Sequence, residues 1–408
     1  MSISDVGTRI ELVDPDHYAA HGMPHDQFTW LRANAPVYWH HGDEEKGWPG
    51  FWAVTKHADV VHVSRHPELF SSHRRLALFP ELPDEMIELQ RMMMLNQDPP
   101  EHTRRRALVN RGFTPRAIGA LEDHIREICE DLVDQALAKP ELDFVRDFAA
   151  PLPLYVICEL LGVPAEDRED FAAWSNTMVD ASDHQQAMEA MGKLNGYIVE
   201  LVAAKRENPD DRLISGLIEV ADDGDRLSED ELNAMAMMLL IAGHETTVNL
   251  IGNGLLALFT HPEQRKLLLD QPELITSAVD EFLRFDSPVH TTPARFTTED
   301  VEYSGVTIPA GSQVLLSLAA ANRDPSRFSD ADELQVDRDA SRHVAFGHGV
   351  HHCLGAQLAR IEGQEAIGRF LARRPGTELA VPADELVHRH SNLVRGLTKL
   401  PVLIGPEV

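Results

Sequence analysis

A chain of 408 residues can bury a large core as one domain or divide into two or three. Its 37 Lys+Arg against 66 Asp+Glu give a formal charge of −29 at pH 7, which argues against a general nucleic-acid binder, since phosphate contacts need a basic face. Its three separated cysteines, Cys129, Cys158 and Cys353, form no CxxC pair, so a disulfide framework and a cysteine-rich zinc site are both disfavoured and a reducing compartment fits.

The opening MSISDVGTRIELVDPDHY lacks a basic stretch followed by an apolar run, so no secretory signal is expected and the expected location is cytoplasmic. In PVYWHHGDEEKGWPGFWAVTKHADVVHVSR, apolar runs at Phe51–Val54 and Val60–Val63 flank a polar turn and predict strand, short helix or turn, then strand. Residues 71–97 are poorly patterned yet carry Leu76, Leu78, Phe79, Met86, Ile87 and Met92 to Leu95, a large flexible apolar surface. From Glu101 to about Lys205 the pattern is helical, with Leu121, Ile125, Ile128, Leu132 and Leu137 mainly on one side. LPLYVICELLGVP is apolar nearly all round and stops at Gly162 and Pro164, as a core helix does.

The longest predicted helix starts at Ser228, with Glu231 completing a capping box, and its apolar centre should run through the middle of the molecule. Its most apolar part, Ala234 to Ala242, is too short to span a bilayer, so no membrane association is expected. Leu274 to Phe285 predicts another helix, VEYSGVTIPAGSQVLLSLAAANRDP a small sheet, Asp324 to Phe346 an irregular segment, and Leu354 to Leu371 a last helix. The expected class is mainly α with small β-sheets in one domain, 1–408. The β-rich portions should lie at about 30–65, 290–320 and 375–408, and the helical body at about 101–286 plus 354–371.

Four groups of residues carry chemistry. In FGHGVHHCLG, glycines at 347, 349 and 355 let the backbone turn tightly around Cys353 and enter a helix, whose N–H groups and dipole lower a thiol pKa. Such a thiolate suits a haem iron, although a packing cysteine or a metal site with His343, His348, His351 or His352 fits the spacing too. In the long helix, Gly243, His244, Glu245, Thr246 and Thr247 place an acid and hydroxyls in a buried stretch; Thr246 can bond back to the Ala242 carbonyl, bending the helix or opening a groove, or the feature is a water-satisfied helix defect. Glu281 and Arg284 lie i,i+3 on one face and can pair, as many solvated surface pairs do. Arg104, Arg105, Arg111 and Arg116 form a basic cluster in an acidic chain, or a solvated helix face.

The string around Cys353 resembles the cytochrome P450 signature Phe-x-x-Gly-x-His/Arg-x-Cys-x-Gly, followed by Leu358 and Ala359 at the family's spacing. AGHETT resembles the family's oxygen-binding motif, EFLR its Glu-x-x-Arg, and the motifs follow in the family's order over nearly the whole chain. The resemblance implies the cytochrome P450 fold, haem b (iron protoporphyrin IX) and an O2- and NAD(P)H-dependent monooxygenase that hydroxylates or epoxidises an apolar small molecule. Cys353 would be the iron ligand and the metal site, with Phe346 beside the thiolate and Ala242, Gly243 and Gly355 lining the cofactor. His102, Arg106, Arg295 and His351 would reach the haem propionates. Thr246 would steady the bound oxygen and its water, with Glu245 linking that water to bulk protons; Glu stands where Asp is also common. Glu281, Arg284 and Arg338 would form a structural triad.

Leu78, Met93, Leu95, Leu239, Ala242, Val289 and Thr292 would line the substrate pocket, favouring a terpenoid, steroid, fatty acid or macrolide-type molecule. No flavin or ferredoxin segment is evident, so a ferredoxin or flavodoxin with its reductase should supply electrons, docking near Arg104, Arg105, Arg111 and Arg116. The competing readings are a non-catalytic haem-binding sensor or carrier, which has no need of an acid-alcohol pair, and a zinc hydrolase, for which no HExxH helix exists.

Overall fold

Residues 10–43, 47–74, 91–110, 113, 115–137, 141–180, 184–222 and 227–405 are described by the computed structural model. Leu76, Leu78, Phe79, Met86, Ile87 and Arg111 lie outside them, as does the Arg116 side chain. The described chain is mainly helical with three small sheets.

The centre is the helix Glu229–Thr260. Its capping box forms as predicted: Glu231 N–H donates to Ser228 Oγ at 3.1 Å and Ser228 N–H to Glu231 Oε2 at 2.8 Å. By length and composition it resembles a membrane span, yet 61% of its most apolar window is buried inside the protein. The helices Pro151–Leu161, His184–Glu207, Ile275–Phe285 and Ala356–Arg373 pack around it. Burial of Leu250, Ile251, Leu255 and Leu258 against them supplies the cohesion, about 25 cal/mol per Å² of apolar surface. Gly162 ends Pro151–Leu161 at φ +83°, a left-handed C-cap that glycine adopts without strain.

The largest sheet has five strands in the order β1-β2-β8-β5-β3: β1 Val37–His40, β2 Phe51–Val54, β3 Phe70–Ser71, β5 Arg295–Thr297 and β8 Gln313–Leu316. Only β2 and β8 are parallel; Arg295 opens β5 opposite Val314. β4 (Glu141–Asp143) pairs with β10 (Pro401–Leu403), which also pairs with β9 (Glu378–Leu379), while β6 (Val301–Tyr303) and β7 (Val306–Ile308) make a hairpin.

Two expectations are corrected. Val60–Val63 is helix, within His57–Arg65, not strand: Val60 and Val63 are three apart and both buried, and Asp59 sits in the first turn. The 30–65 region therefore mixes helix and strand. Likewise LAAAN after β8 is a short helix, Leu318–Asn322, capped by Ser317.

The 324–346 segment is held by ionic contacts instead of regular structure. Arg284 grips Glu281 with two bonds of 2.7 Å and donates to the carbonyls of Asn322, Ala331 and Glu333. Arg338 Nε reaches Glu281 Oε1 at 3.2 Å and Gln335 N–H reaches it at 2.9 Å. Glu281 and Arg284 are fully buried, so this is no surface pair. Asn322 Oδ1 then accepts from Val344 N–H at 2.7 Å, and Asp280 accepts from Arg360 Nε at 2.6 Å and lies 3.3 Å from His343 Nε2. These bonds carry the constraint to the loop before Cys353. Replacing Arg284 with Met removes one of the two guanidinium partners of the buried Glu281 and leaves Arg338 as the other; urea unfolding should show a loss of roughly 3–5 kcal/mol, against about 0–1 for the exposed pair at Lys266 and Asp270.

Candidate active site

The Cys353 loop is a tight turn. Gly347 and Gly349 have φ of +68° and +69°, and a Cβ on Gly349 would lie 2.0 Å from the Ser64 carbonyl oxygen, so no larger residue fits there. Cys353 N–H donates to the Phe346 carbonyl at 2.8 Å, and the helix Ala356–Arg373 begins just beyond with Gly355 as N-cap. The Cys353 side chain is accessible, yet desolvation is the main influence on its thiol and pushes the pKa up. The Gly355 N–H, Arg106 and Arg360 pull the other way, as a helix-terminal thiolate requires. Phe346 packs nearby, with the Arg360 guanidinium 4.7 Å from its ring centre. Cys129 and Cys158 are buried, and desolvation raises both thiols, as for inert core cysteines.

A second cluster gathers residues far apart in sequence. The His102 and His351 rings lie 4.4 Å apart, and His351 Nε2 is 3.1 Å from Ser72 Oγ. His102 is buried, with neither ring nitrogen hydrogen-bonded among the described residues. Desolvation and the neighbouring cations hold His102 near pKa 4 and His351 near 2, and desolvation lowers Arg295 to about 10. Arg106 is also lowered by desolvation, with Cys353 acting to raise it. Four nitrogen-bearing side chains thus crowd together, with the Asp98 carboxylate opposing the downward shift of His102 and Arg295 and with His102 unpartnered among the described residues.

The third element lies on the central helix. Thr246 Oγ1 donates to the Ala242 carbonyl at 2.8 Å, as predicted, and Thr247 Oγ1 to that of Gly243 at 3.4 Å, while the helix stays continuous through the motif. A Cβ on Gly243 would stand 3.4 Å from Ile157, and Ala242 is exposed in the middle of the helix, two residues from the buried His244. Glu245 lies 3.9 Å from Arg389. His244 is buried, with Nδ1 2.9 Å from Ser175 Oγ on the helix Arg168–Asp180.

Some partners escape sequence reasoning. Glu362, buried on the last helix, hydrogen-bonds Thr247, and desolvation raises its pKa to about 8. In the sequence it is one acid among many; only its i+9 offset from Cys353, on the core side of the helix, could have marked it. Of the pocket candidates, Leu239 and Thr292 are buried, Met93, Leu95 and Val289 half-buried, and Leu78 outside the described residues. Arg105 turns inward, donating to the Met92 carbonyl and pairing with Glu231, while Arg104 is 3.5 Å from the same carboxylate and a third exposed.

Residues 170–373 match the family profile described as Cytochrome P450. The chain is 54% identical over 387 residues to the vitamin D(3) 25-hydroxylase of Pseudonocardia autotrophica, covering 94% of each. The chain belongs to the cytochrome P450 family. Among solved structures it is similar to the bacillaene polyketide synthase cytochrome P450 PksS of Bacillus subtilis (TM-score 0.86, 37% identity, 96% of this chain and 98% of that one). It is also similar to CYP109E1 of Bacillus megaterium in complex with testosterone (TM-score 0.83, 34% identity, 94% and 98%).

As a P450 monooxygenase the chain uses haem b, and its residues fit that group. Two propionates would fit beside the Arg106 and Arg295 guanidiniums and the His351 and His102 rings, His102 having no hydrogen-bond partner among the described residues, and the helix-terminal Cys353 sulfur would fit the iron. Glu362 makes a pH-dependent prediction. Its folded pKa exceeds the unfolded one, so between about 4.5 and 8 the folded state holds the extra proton and this group costs stability as pH rises. Glu362→Gln should therefore be stabilised relative to the parent by a margin growing by up to about 1.4 kcal/mol per pH unit over that window in denaturant titrations.

Proposed function

We propose that this P450 oxidises a steroid- or secosteroid-like molecule, with Cys353 as the iron ligand and Glu245 and Thr246 as its proton-handling pair. The observation that carries the roles is the acid-alcohol pair on an unbroken helix beside an exposed Ala242. The substrate class rests on the relative of 54% identity named for vitamin D(3), on the solved relative holding testosterone, and on the mainly aliphatic Met93, Leu95, Leu239 and Val289.

Haem b, when bound, supplies reductive activation of O2 and transfer of one oxygen atom to the substrate. The protein does the rest. Cys353 would hold the iron through a sulfur pre-oriented by the loop, with Phe346 and Gly355 beside it; His102, Arg106, Arg295 and His351 would anchor the propionates, and Ala242 and Gly243 would border the cofactor from the central helix. Thr246 keeps its hydroxyl on the Ala242 carbonyl, which leaves the oxygen lone pairs free to accept from a water. Glu245 passes protons to that water, and Met93, Leu95, Leu239, Val289, Thr292 and Leu78 shape the substrate side.

We read the chain as one domain, since the five-stranded sheet joins β1 to β8 and β4 pairs with β10 near the far end. The chemistry suits the cytoplasm, with electrons from a ferredoxin or flavodoxin and its reductase. The docking side would be that of Arg104, while Arg105 instead ties Glu101–Val109 to the central helix and Arg111 and the Arg116 side chain lie outside the described residues.

Two measurements test the reading. Thr246→Ala should retain haem but raise hydrogen peroxide released per NAD(P)H by several-fold, and unchanged coupling would remove its proton role. Vitamin D3 and testosterone should give substrate-binding spectral shifts at micromolar concentration while a macrolide gives none; the reverse order would reassign the substrate class.

A further inference from the structure

Arg105 shares the short helix Glu101–Val109 with His102 and Arg106 of the propionate cluster, but its own guanidinium makes different contacts. Nη1 donates to the Met92 carbonyl and Nη2 to Glu231 Oε1. The arginine side chain is 11% and the carboxylate 17% exposed, so water competes little for the pair. Glu231 is itself held in place. Its Oε2 accepts from Ser228 N–H at 2.8 Å as half of the capping box, which leaves Oε1 to the arginine. One carboxylate therefore closes the first turn of the central helix and anchors a side chain from another element.

The acceptor at the other end belongs to the turn that carries two of the pocket candidates. Met93 caps the short 3₁₀ turn Met94–Asn96, and Leu95 lies within it. Past the turn, the Gln97 backbone hydrogen-bonds His351, and Gln97 Nε2 donates back to the Arg91 carbonyl at 2.8 Å. The turn is thus fastened to the cofactor-anchoring cluster at one end and, through Arg105, to the central helix at the other. Leu239 stands eight residues beyond Glu231 on that helix, about 12 Å along its axis at 1.5 Å per residue. Arg105 bridges the two elements that carry Met93, Leu95 and Leu239.

We propose that Arg105 is a positioning residue for the substrate pocket: by sharing one guanidinium between the Met92 carbonyl and Glu231, it sets the spacing of the 92–97 turn from the central helix and so the fit of a bulky apolar ligand. It acts through Met93 and Leu95. A guanidinium suits the task because its two terminal nitrogens serve separate acceptors in one rigid plane, whereas a lysine offers a single nitrogen. Glu231 keeps some water and has Arg104 3.5 Å away, so losing Arg105 leaves no stranded buried charge. The cost then falls on the turn and not on the stability of the whole chain. This rests on the reading of Met93, Leu95 and Leu239 as pocket residues above.

The test uses the holoenzyme, with haem content checked, in Arg105→Leu, Arg105→Lys, Glu231→Gln, the Arg105→Leu/Glu231→Gln double and Met93→Ala. Gln at 231 can keep the capping box and removes only the charge. Affinity is read by spectral titration with two probes: imidazole, which needs only the iron, and clotrimazole, a bulky triaryl imidazole that must also meet the pocket walls. Hydrogen exchange of the 92–97 amides and the urea midpoint are read alongside. Arg105→Leu should weaken clotrimazole several-fold and speed exchange at 92–97 several-fold, with imidazole affinity and the midpoint close to the parent's. Arg105→Lys should recover only part of the loss, and the double should bind clotrimazole no more weakly than Arg105→Leu alone. Parental clotrimazole affinity in Arg105→Leu, or an equal loss for both probes, would overturn the positioning role while leaving the pocket reading intact if Met93→Ala still weakens clotrimazole. Full recovery in Arg105→Lys would overturn the two-acceptor bridge. Parental clotrimazole affinity in Met93→Ala would remove the pocket reading on which the proposal stands.

Discussion

Glu281 has no access to solvent and holds two guanidinium groups, Arg284 from its own helix and Arg338 from the irregular 324–346 segment. An isolated charge in that position would be costly, so the segment that supplies its partners cannot drift. Through Arg284 the same contact fastens the carbonyls of Asn322, Ala331 and Glu333, and through Asn322 it reaches Val344, two residues before Phe346. A stretch without helix or strand is thereby given one conformation, and the Cys353 turn is built on its end. Sulfur placement, and with it the chemistry, depends on an ion cluster that touches neither cofactor nor substrate.

The two faces of the site are coupled by helix packing. The last helix leaves Cys353 and meets the central helix where Glu362 bonds Thr247 and where Gly363 lets Leu250 approach. A shift in one helix therefore moves both the thiol loop and the Thr246 turn. Ser175 and Arg389 reach that turn from different elements, one through His244 and the other through Glu245, so the acid-alcohol motif is held from the helix Arg168–Asp180 and from the 388–397 segment alike.

Much of this was legible in the sequence for physical reasons. The capping box at Ser228, the glycine stop at 162 and the back-bond from Thr246 to Ala242 are local, and local rules suffice for them. The cysteine and acid-alcohol motifs were legible through resemblance, because spacing alone left a packing cysteine and a helix defect open. The failures share a cause. Val60 and Val63 suit strand or helix until the buried face is known, and Arg105 looked like a surface cation until Glu231, 126 residues on, came beside it. Glu362 and Arg389 are invisible for the same reason: their meaning lies in Thr247 and Glu245, which only the folded chain brings near.

The account's central claim is that the Cys353 turn delivers a thiolate to the haem iron. The most direct measurement is the absorption spectrum of the reduced holoprotein under carbon monoxide, compared with Cys353→His. The account predicts a red-shifted Soret band, characteristic of thiolate ligation, in the parent and its loss in the variant with haem retained. A parent spectrum without that band, in a sample shown to carry haem and to be folded, would contradict it.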